Sequence, residues 1–389
     1  MKRFFMHILR VWHQELATAL HDKGILIFIV FVPLAYPLLY AFVYTNEVVR
    51  EVPVVVVDDA RSAQSREFVR QIDATAEVCF LKQCHSMAEA EHYLKTQEAY
   101  GIIHIPSSFD RDLSLGNQTT VGLYSDMCSL LYYKAMLLAA NNVALTMNKD
   151  IKTTRYIKGT TERQDEVNKT PIDYAYVPLY NPQSGFAAFL IPPVLMLIIQ
   201  QTLLLGIGMS AGHCRERNHG SLLPLGRTFG HPLQVALGRG SFYFLLYMMW
   251  GLYMFVVVTP MFGLPALGHF PMFVAFLIPF ILACVALALA ASALVYRRED
   301  CIMLFVFLSV PLLFLSGVSW PAAVMPRFWQ YVSYLFPSTF GMNGYVRITG
   351  CGASLPDVAF EWRGLWVQAI VYTTIACLIY RRQMKKRPM

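Results

Sequence analysis

A chain of 389 residues that is 56% hydrophobic and 15% charged, with a mean hydropathy of +0.44, is too apolar for an ordinary water-soluble protein. Its net charge of +7 arises from 32 Lys and Arg against 25 Asp and Glu. The excess gathers at the ends of apolar segments, so it reads as membrane topology and not as a nucleic-acid footprint.

Residues 2–20 predict an amphipathic helix. Phe4, Phe5, Ile8, Leu9, Trp12, Leu16 and Leu20 recur at helical spacing on one side, and Lys2, Arg3, His7, Arg10, His13 and Gln14 take the other. A basic helix with a Trp is suited to a membrane interface. A plain extension of the first span is the alternative. Residues 1–23 are therefore taken as an interfacial segment and 24–45 as the first span. Its apolar run is longer than that of a signal peptide, and no A-x-A-like site follows it.

Residues 46–183 form the only sizeable polar region, long enough for one small domain. VPVVVVDD (52–59) is a β-branched run ended by acids and predicts a strand. SAQSREFVRQID (62–73) predicts a helix capped by Ser62. EVCFL (77–81), YGIIHIP (100–106) and TTVGLYSD (119–126) predict further strands, and SMAEAEHYLKT (86–96) a second helix with a Ser cap. The alternation implies an α/β domain with a partly parallel sheet. A long helical stretch, roughly 127–166, leads back to the membrane. No Gly-rich phosphate loop and no His/Asp/Ser constellation stands out in this region, so a passive or partner-binding role is expected of it.

The remainder, 184–389, predicts five more spans of about 20 residues each. They are 186–208, two within 240–296 interrupted by TPMFGLPALGHFP, then 301–317 and 365–380. Pro192 and Pro193 are expected to kink the second span. An inner loop, 210–239, separates the second span from the third. Between the fifth and sixth lies an aromatic, Pro-punctuated stretch. It is read as two short helices that dip into the outer leaflet over 318–347, with Trp320, Pro321, Pro326 and Pro337 at its corners. An ordinary outer loop with an aromatic belt is the alternative.

With the N-terminus inside, the four inner pieces hold 15 of the 32 basic residues but 5 of the 25 acidic ones. That bias places both termini in the cytoplasm and residues 46–183 outside. No Asp, Glu, Lys or Arg falls within the six expected spans, which counts against ion- or proton-coupled transport. No G-x-x-x-x-G-K-[ST] occurs, so ATP is not bound here through a P-loop. The eight Cys form no CxxC, and the His residues lack metal-ligand spacing. No metal or cofactor is expected. Cys79 and Cys84 are candidates for a disulfide if their compartment is oxidising.

Several stretches together resemble a known family. HDKGILIFIVFVPLAYPLLYAF (21–42) followed by VPVVVVDDARSAQSREFV (52–69) resembles the start of permease subunits of type-2 ATP-binding-cassette exporters. GIIHIPSSFDRDLSLG (101–116), LYNPQSGFAAFLIPP (179–193), RERNHGSLLPL (215–225) and SGVSWPAAVMPRFWQYVSYLFPSTF (316–340) are similar to later family stretches in the same order. The inner loop departs in one respect. The family often carries Glu-Gly-Thr with further acids, whereas Glu216 is the acid here.

The resemblance implies an inner-membrane permease paired with a second copy or a paralogue. Cytoplasmic ATPase subunits would hold the ATP and Mg. Partners can include a periplasmic adaptor and an outer-membrane channel, and substrates would be drug-like, lipid-like or glycan, as in multidrug efflux. It also gives the inner loop a task. A short helix around 215–223 would sit in a groove of the ATPase. Arg215 and Arg217 would meet acidic side chains, with Glu216 and Ser221 beside them. Leu222 and Leu223 would supply apolar contact, and Gly220, Pro224 and Gly226 would end the helix. The N-terminal helix, with Arg10 and Trp12, would lie alongside. A basic loop that only sets topology is the alternative. Two other functions are weighed as well. One is an ATPase-independent receptor with a ligand-binding outer domain, for which the inner pieces are short. The other is an intramembrane enzyme, for which His213, Glu216, Glu299 and Asp300 form no recognised set.

Overall fold

The computed structural model describes residues 2–44, 48–115, 117–125, 130–156, 180–181, 185–218, 220–223 and 231–385. Two compact units are present, one of residues 1–47 with 178–389 and one of residues 48–177. The chain opens with α1 (Lys2–His21), whose packed face is the stripe Val11, Glu15 and Ala19. Phe5, Leu9 and Leu20 are exposed. Asp22 ends α1 and caps the next helix, α2 (Lys23–Val43), by accepting from the Gly24 and Ile25 N–H groups at 3.0 and 3.3 Å. One π-helical turn, Ile27–Phe31, lies inside α2.

The second unit is built from β1 (Val52–Asp58), α3 (Ala63–Asp73), β2 (Val78–Cys84), α4 (Met87–Lys95), β3 (Gly101–Ile105), α5 (Phe109–Leu115), β4 (Gly122–Ser125) and α6 (Leu130–Tyr156). The strand order is β2-β1-β3-β4. β1 pairs in parallel with β2 and β3, and β4 is antiparallel to β3. β1 is central, so its valines are buried on both faces, which is why it reads as a continuous apolar run. Phe68 and Ile72 of α3 share one core with Phe109 and with Met136 and Ala139 of α6. Ala90 of α4 covers the other face with Val55, Val57 and Ile102. Ser62 and Ser86 cap α3 and α4.

The first unit resumes with α7 (Phe186–Arg217), α8 (Pro232–Met261), α9 (Phe270–Leu294, its last turn 3₁₀), α10 (Arg298–Leu315), α11 (Arg327–Ser333), α12 (Pro337–Cys351) and α13 (Ala359–Lys385). Among the described residues, α2, α7, α8, α9 and α13 are long and apolar enough to cross a membrane. This is an α-helical membrane protein. α10 is 18 residues long and carries Arg298, Glu299 and Asp300 in its first turn. α7 is the centre of the bundle, packed on α2, α9, α10 and α12, and it runs through Pro192 and Pro193 without a break.

Three expectations are corrected here. Among the described residues no separate helix spans 215–223, because α7 continues through Arg215, Glu216 and Arg217. Charges do lie within the long helices. α8 starts at Pro232 and so includes Arg239, and α13 starts at Ala359 and includes Glu361 and Arg363. The Cys79–Cys84 bridge is ruled out. Both thiols are free and occupy one extended strand, five residues or roughly 16 Å apart, whereas a disulfide needs Cα atoms within about 7 Å. Pro224, Gly226 and His219 lie outside the described residues.

Candidate functional site

A buried ion pair lies at one end of the bundle, where α1 crosses α8; a second buried acid, Glu361, pairs with Arg347 at the start of α13. The crossing is close because position 238 is Gly. A Cβ there would meet Val11 Cβ at 2.6 Å and the Ile8 carbonyl at 2.9 Å. One helical turn beyond Val11, Glu15 reaches Arg239, with Nε to Oε2 at 3.1 Å. The two side chains are 7% and 9% exposed. Glu15 Oε1 also accepts from the Tyr243 hydroxyl at 3.0 Å and from the Ser210 hydroxyl. Both carboxylate oxygens are thus satisfied, as a buried charge requires. The Trp12 ring packs edge-on against Phe242 beside this pair.

A second cluster sits at the α1–α2 corner. Asp22 uses Oδ1 to cap α2 and turns Oδ2 to Arg298 Nη1 and His213 Nδ1, each at 2.8 Å. Arg298 Nε then reaches Glu216 Oε2 at 3.0 Å, and the Arg298 N–H donates to Glu216 Oε1. His213 Nε2 faces Arg217 Nη1 at 3.4 Å. Arg298 Nη2 also approaches His213 Nδ1, so the imidazole is held between Asp22 and two guanidinium groups. Asp22, His213, Glu216 and Arg298 therefore tie α2, α7 and α10 at one point.

Arg215 is turned inward. Its guanidinium donates to the Ala293 carbonyl at 2.9 Å and to the Val295 carbonyl, and it lies 4.4 Å from the Tyr296 ring centre. It thereby caps the C-terminal end of α9. The turn after α7 is closed by the Gly220 N–H on the Arg215 carbonyl at 2.9 Å, with Gly220 at φ +84°, a conformation that suits glycine. Cys214 Sγ holds the Leu222 carbonyl at 3.1 Å, and Leu222 and Leu223 are wholly buried. Arg215, Leu222 and Leu223 therefore fasten the loop to its own bundle instead of presenting it outward. Arg10, Glu216, Arg217 and Gly220 remain exposed, and Ser221 is half-buried.

A cavity of about 450 Å³ opens between α1, α7 and α8, with Gln14, Glu15, Ser210, His213, Arg217 and Arg239 in its wall. A second hollow of about 580 Å³ adjoins it along Thr18, Asp22 and Arg298. Among the described residues, no group of His, Cys, Asp and Glu is placed to hold a metal ion.

The bundle, its charged end and the order of its elements now stand beside one comparison. The model of the ABC-2 family transporter protein matches residues 23–378. The chain belongs to the ABC-2 transporter family. Membership makes it a permease subunit of an ABC transporter and implies a partner ATPase. Among curated proteins, no sequence matches the permease.

The residues expected at the outer segment are spread along it. Pro321 precedes a 3₁₀ turn (Ala322–Val324), Pro326 precedes α11, and Pro337 opens α12. Trp320 is exposed. Sequence reasoning missed Glu15, Asp22, Arg239 and Arg298 as a connected set. A signal was present for Glu15. It falls between Trp12 and Leu16 on the apolar side of the N-terminal helix, where an acid is out of place unless it is paired. Asp22 carried a signal too, because Asp directly before an apolar run is a helix cap.

Proposed function

We propose that this permease is energised at the charged end of its bundle by a separate cytoplasmic ATPase and moves a hydrophobic, drug-like, lipid-like or glycan substrate outward. In this reading the chain crosses six times, with α10 as the fifth crossing and its three charges at the membrane surface. Both termini face the cytoplasm, and the α/β unit lies outside the inner membrane. A second copy or a paralogue completes the transport path, and an adaptor and outer-membrane channel can extend it.

One observation carries the reading: the buried Glu15–Arg239 pair and the partly exposed cluster of Asp22, His213, Arg298 and Glu216 join the ends of α1, α2, α7, α8 and α10 beside an open cavity. Ion pairs shielded from water resist rearrangement, since separating either partner leaves an uncompensated charge. A partner gripping α1 and the turn after α7 would move these helices together. The docking surface is then the exposed Arg10, Arg217 and Gly220 with Ser221, while Arg215, Leu222, Leu223 and Trp12 hold that surface in place.

The test is purification of the tagged chain from its native membranes. Wild-type protein should bring down an ATPase that hydrolyses ATP, and the Arg10→Glu/Arg217→Glu variant should bring down far less at equal expression. Both positions are exposed, so folding is preserved. An unchanged ATPase yield from the variant, or none from the wild type, refutes the assignment. Removing 215–223 altogether is a poorer test, because it also removes the buried fixings.

A further inference from the structure

The middle of α7 is apolar except for Gln200, Gln201 and Thr202. Thr202 turns its hydroxyl back to the Ile198 carbonyl of its own helix. Gln200 is fully buried and reaches across to α12. Its Nε2 donates to the Ser338 hydroxyl at 3.0 Å, and its Oε1 accepts from the Ser338 N–H at 2.6 Å. Ser338 is the second residue of α12, where a backbone N–H has no acceptor within the helix. One side chain of α7 therefore supplies the cap of α12. The Tyr334 and Leu335 carbonyls just before α12 are held from another side by Gln368 and Tyr372 of α13. At the far end of α12, the Thr349 carbonyl accepts from the Leu267 N–H.

Gln200 and His213 are on one unbroken helix, roughly 20 Å apart at 1.5 Å per residue. A shift of the charged end of α7 thus reaches Gln200 directly. Apolar side chains can slide over one another, whereas two directional bonds to one residue cannot. Both partners are fully buried, so breaking the bonds strands buried donors and acceptors.

We propose that Gln200 is the positioning residue through which α7 carries movement from the charged end of the bundle to α12. The proposal rests on the ATP-driven reading above, which supplies the movement. The test is hydrogen–deuterium exchange on the complex purified with its ATPase, with and without Mg-ATP and vanadate. In the wild type, nucleotide should alter exchange in both 210–217 and 338–345. In Gln200→Met, which keeps the side-chain volume but removes the polar atoms, the response at 210–217 should persist and that at 338–345 should be lost. Ser338→Ala keeps the N–H bond and loses the hydroxyl one, so its response at 338–345 should be reduced but present. It also decides the matter if Gln200→Met does not fold. A full response at 338–345 in either variant overturns the proposal. A wild-type complex that responds at neither segment overturns the ATP-driven reading instead.

Discussion

The buried pair of Glu15 and Arg239 allows a quantitative test of how α1 is held. Replacing Glu15 with Leu strands a guanidinium that is nine-tenths buried and leaves the hydroxyls of Ser210 and Tyr243 without their acceptor. Breaking one side of such a pair costs about 3–5 kcal/mol. Arg239→Met strands the carboxylate, though the two hydroxyls still donate to it, and should fall at the lower end of that range. Replacing both residues removes both charges. What is left is two orphaned hydroxyls, each costing about 1 kcal/mol. The double variant should therefore be more stable than either single one, and far more stable than their sum. For a unit of this size, 1 kcal/mol moves the melting temperature by roughly 2–4 °C, so the Glu15 variant should melt roughly 10 °C below wild type. Intrinsic-fluorescence melting of the chain in lipid nanodiscs reads this directly. Additive losses in the double variant would show that the two charges do not act on each other, and the reading of Glu15 and Arg239 as a buried pair holding α1 to α8 would fail.

Two further expectations concern the α/β unit. Cys79 is exposed and Cys84 buried, both as free thiols, so maleimide should label Cys79 rapidly and Cys84 only on unfolding. A mass shift showing a bridge between them would contradict the strand geometry. Glu89 accepts the His85 N–H at 2.9 Å and an ion pair from Lys82 at 3.1 Å. These hold its carboxyl below the usual carboxylate range, the backbone bond contributing most. A depressed value means that the stabilisation is fully present above the unfolded value of about 4 and is lost as pH falls through the folded one. Glu89→Gln should accordingly open α4 to hydrogen exchange at pH 7, and the difference from wild type should close as pH drops below about 4. A difference that stays constant down to pH 3 would rule this out.

Local chemistry settled a good deal before any packing was known. The valine run at 52–58 lacks alternation and is bounded by acids, and a central parallel strand is the structure that buries such a run on both faces. Ser62 and Ser86 announce their helices because a hydroxyl at that position satisfies an otherwise unpaired N–H. Long apolar runs report membrane helices for a reason equally local: lipid offers backbone groups no partner outside the helix itself.

What only the tertiary structure decided is where the charges at the helix ends point. In the sequence, Arg215 and Arg217 look alike, two basic residues flanking Glu216 at the end of a span. In the bundle, the 100° of helix rotation per residue sends Arg215 inward to the carbonyls of Ala293 and Val295 and leaves Arg217 exposed. Glu15 finds Arg239 across 224 positions of chain, and Asp22 finds His213 and Arg298 across still longer or comparable gaps. Hydropathy and periodicity measure each segment against solvent. They do not contain the crossing angles that bring two distant segments into contact, and those angles determine which charge is buried with a partner and which stays free to meet another subunit.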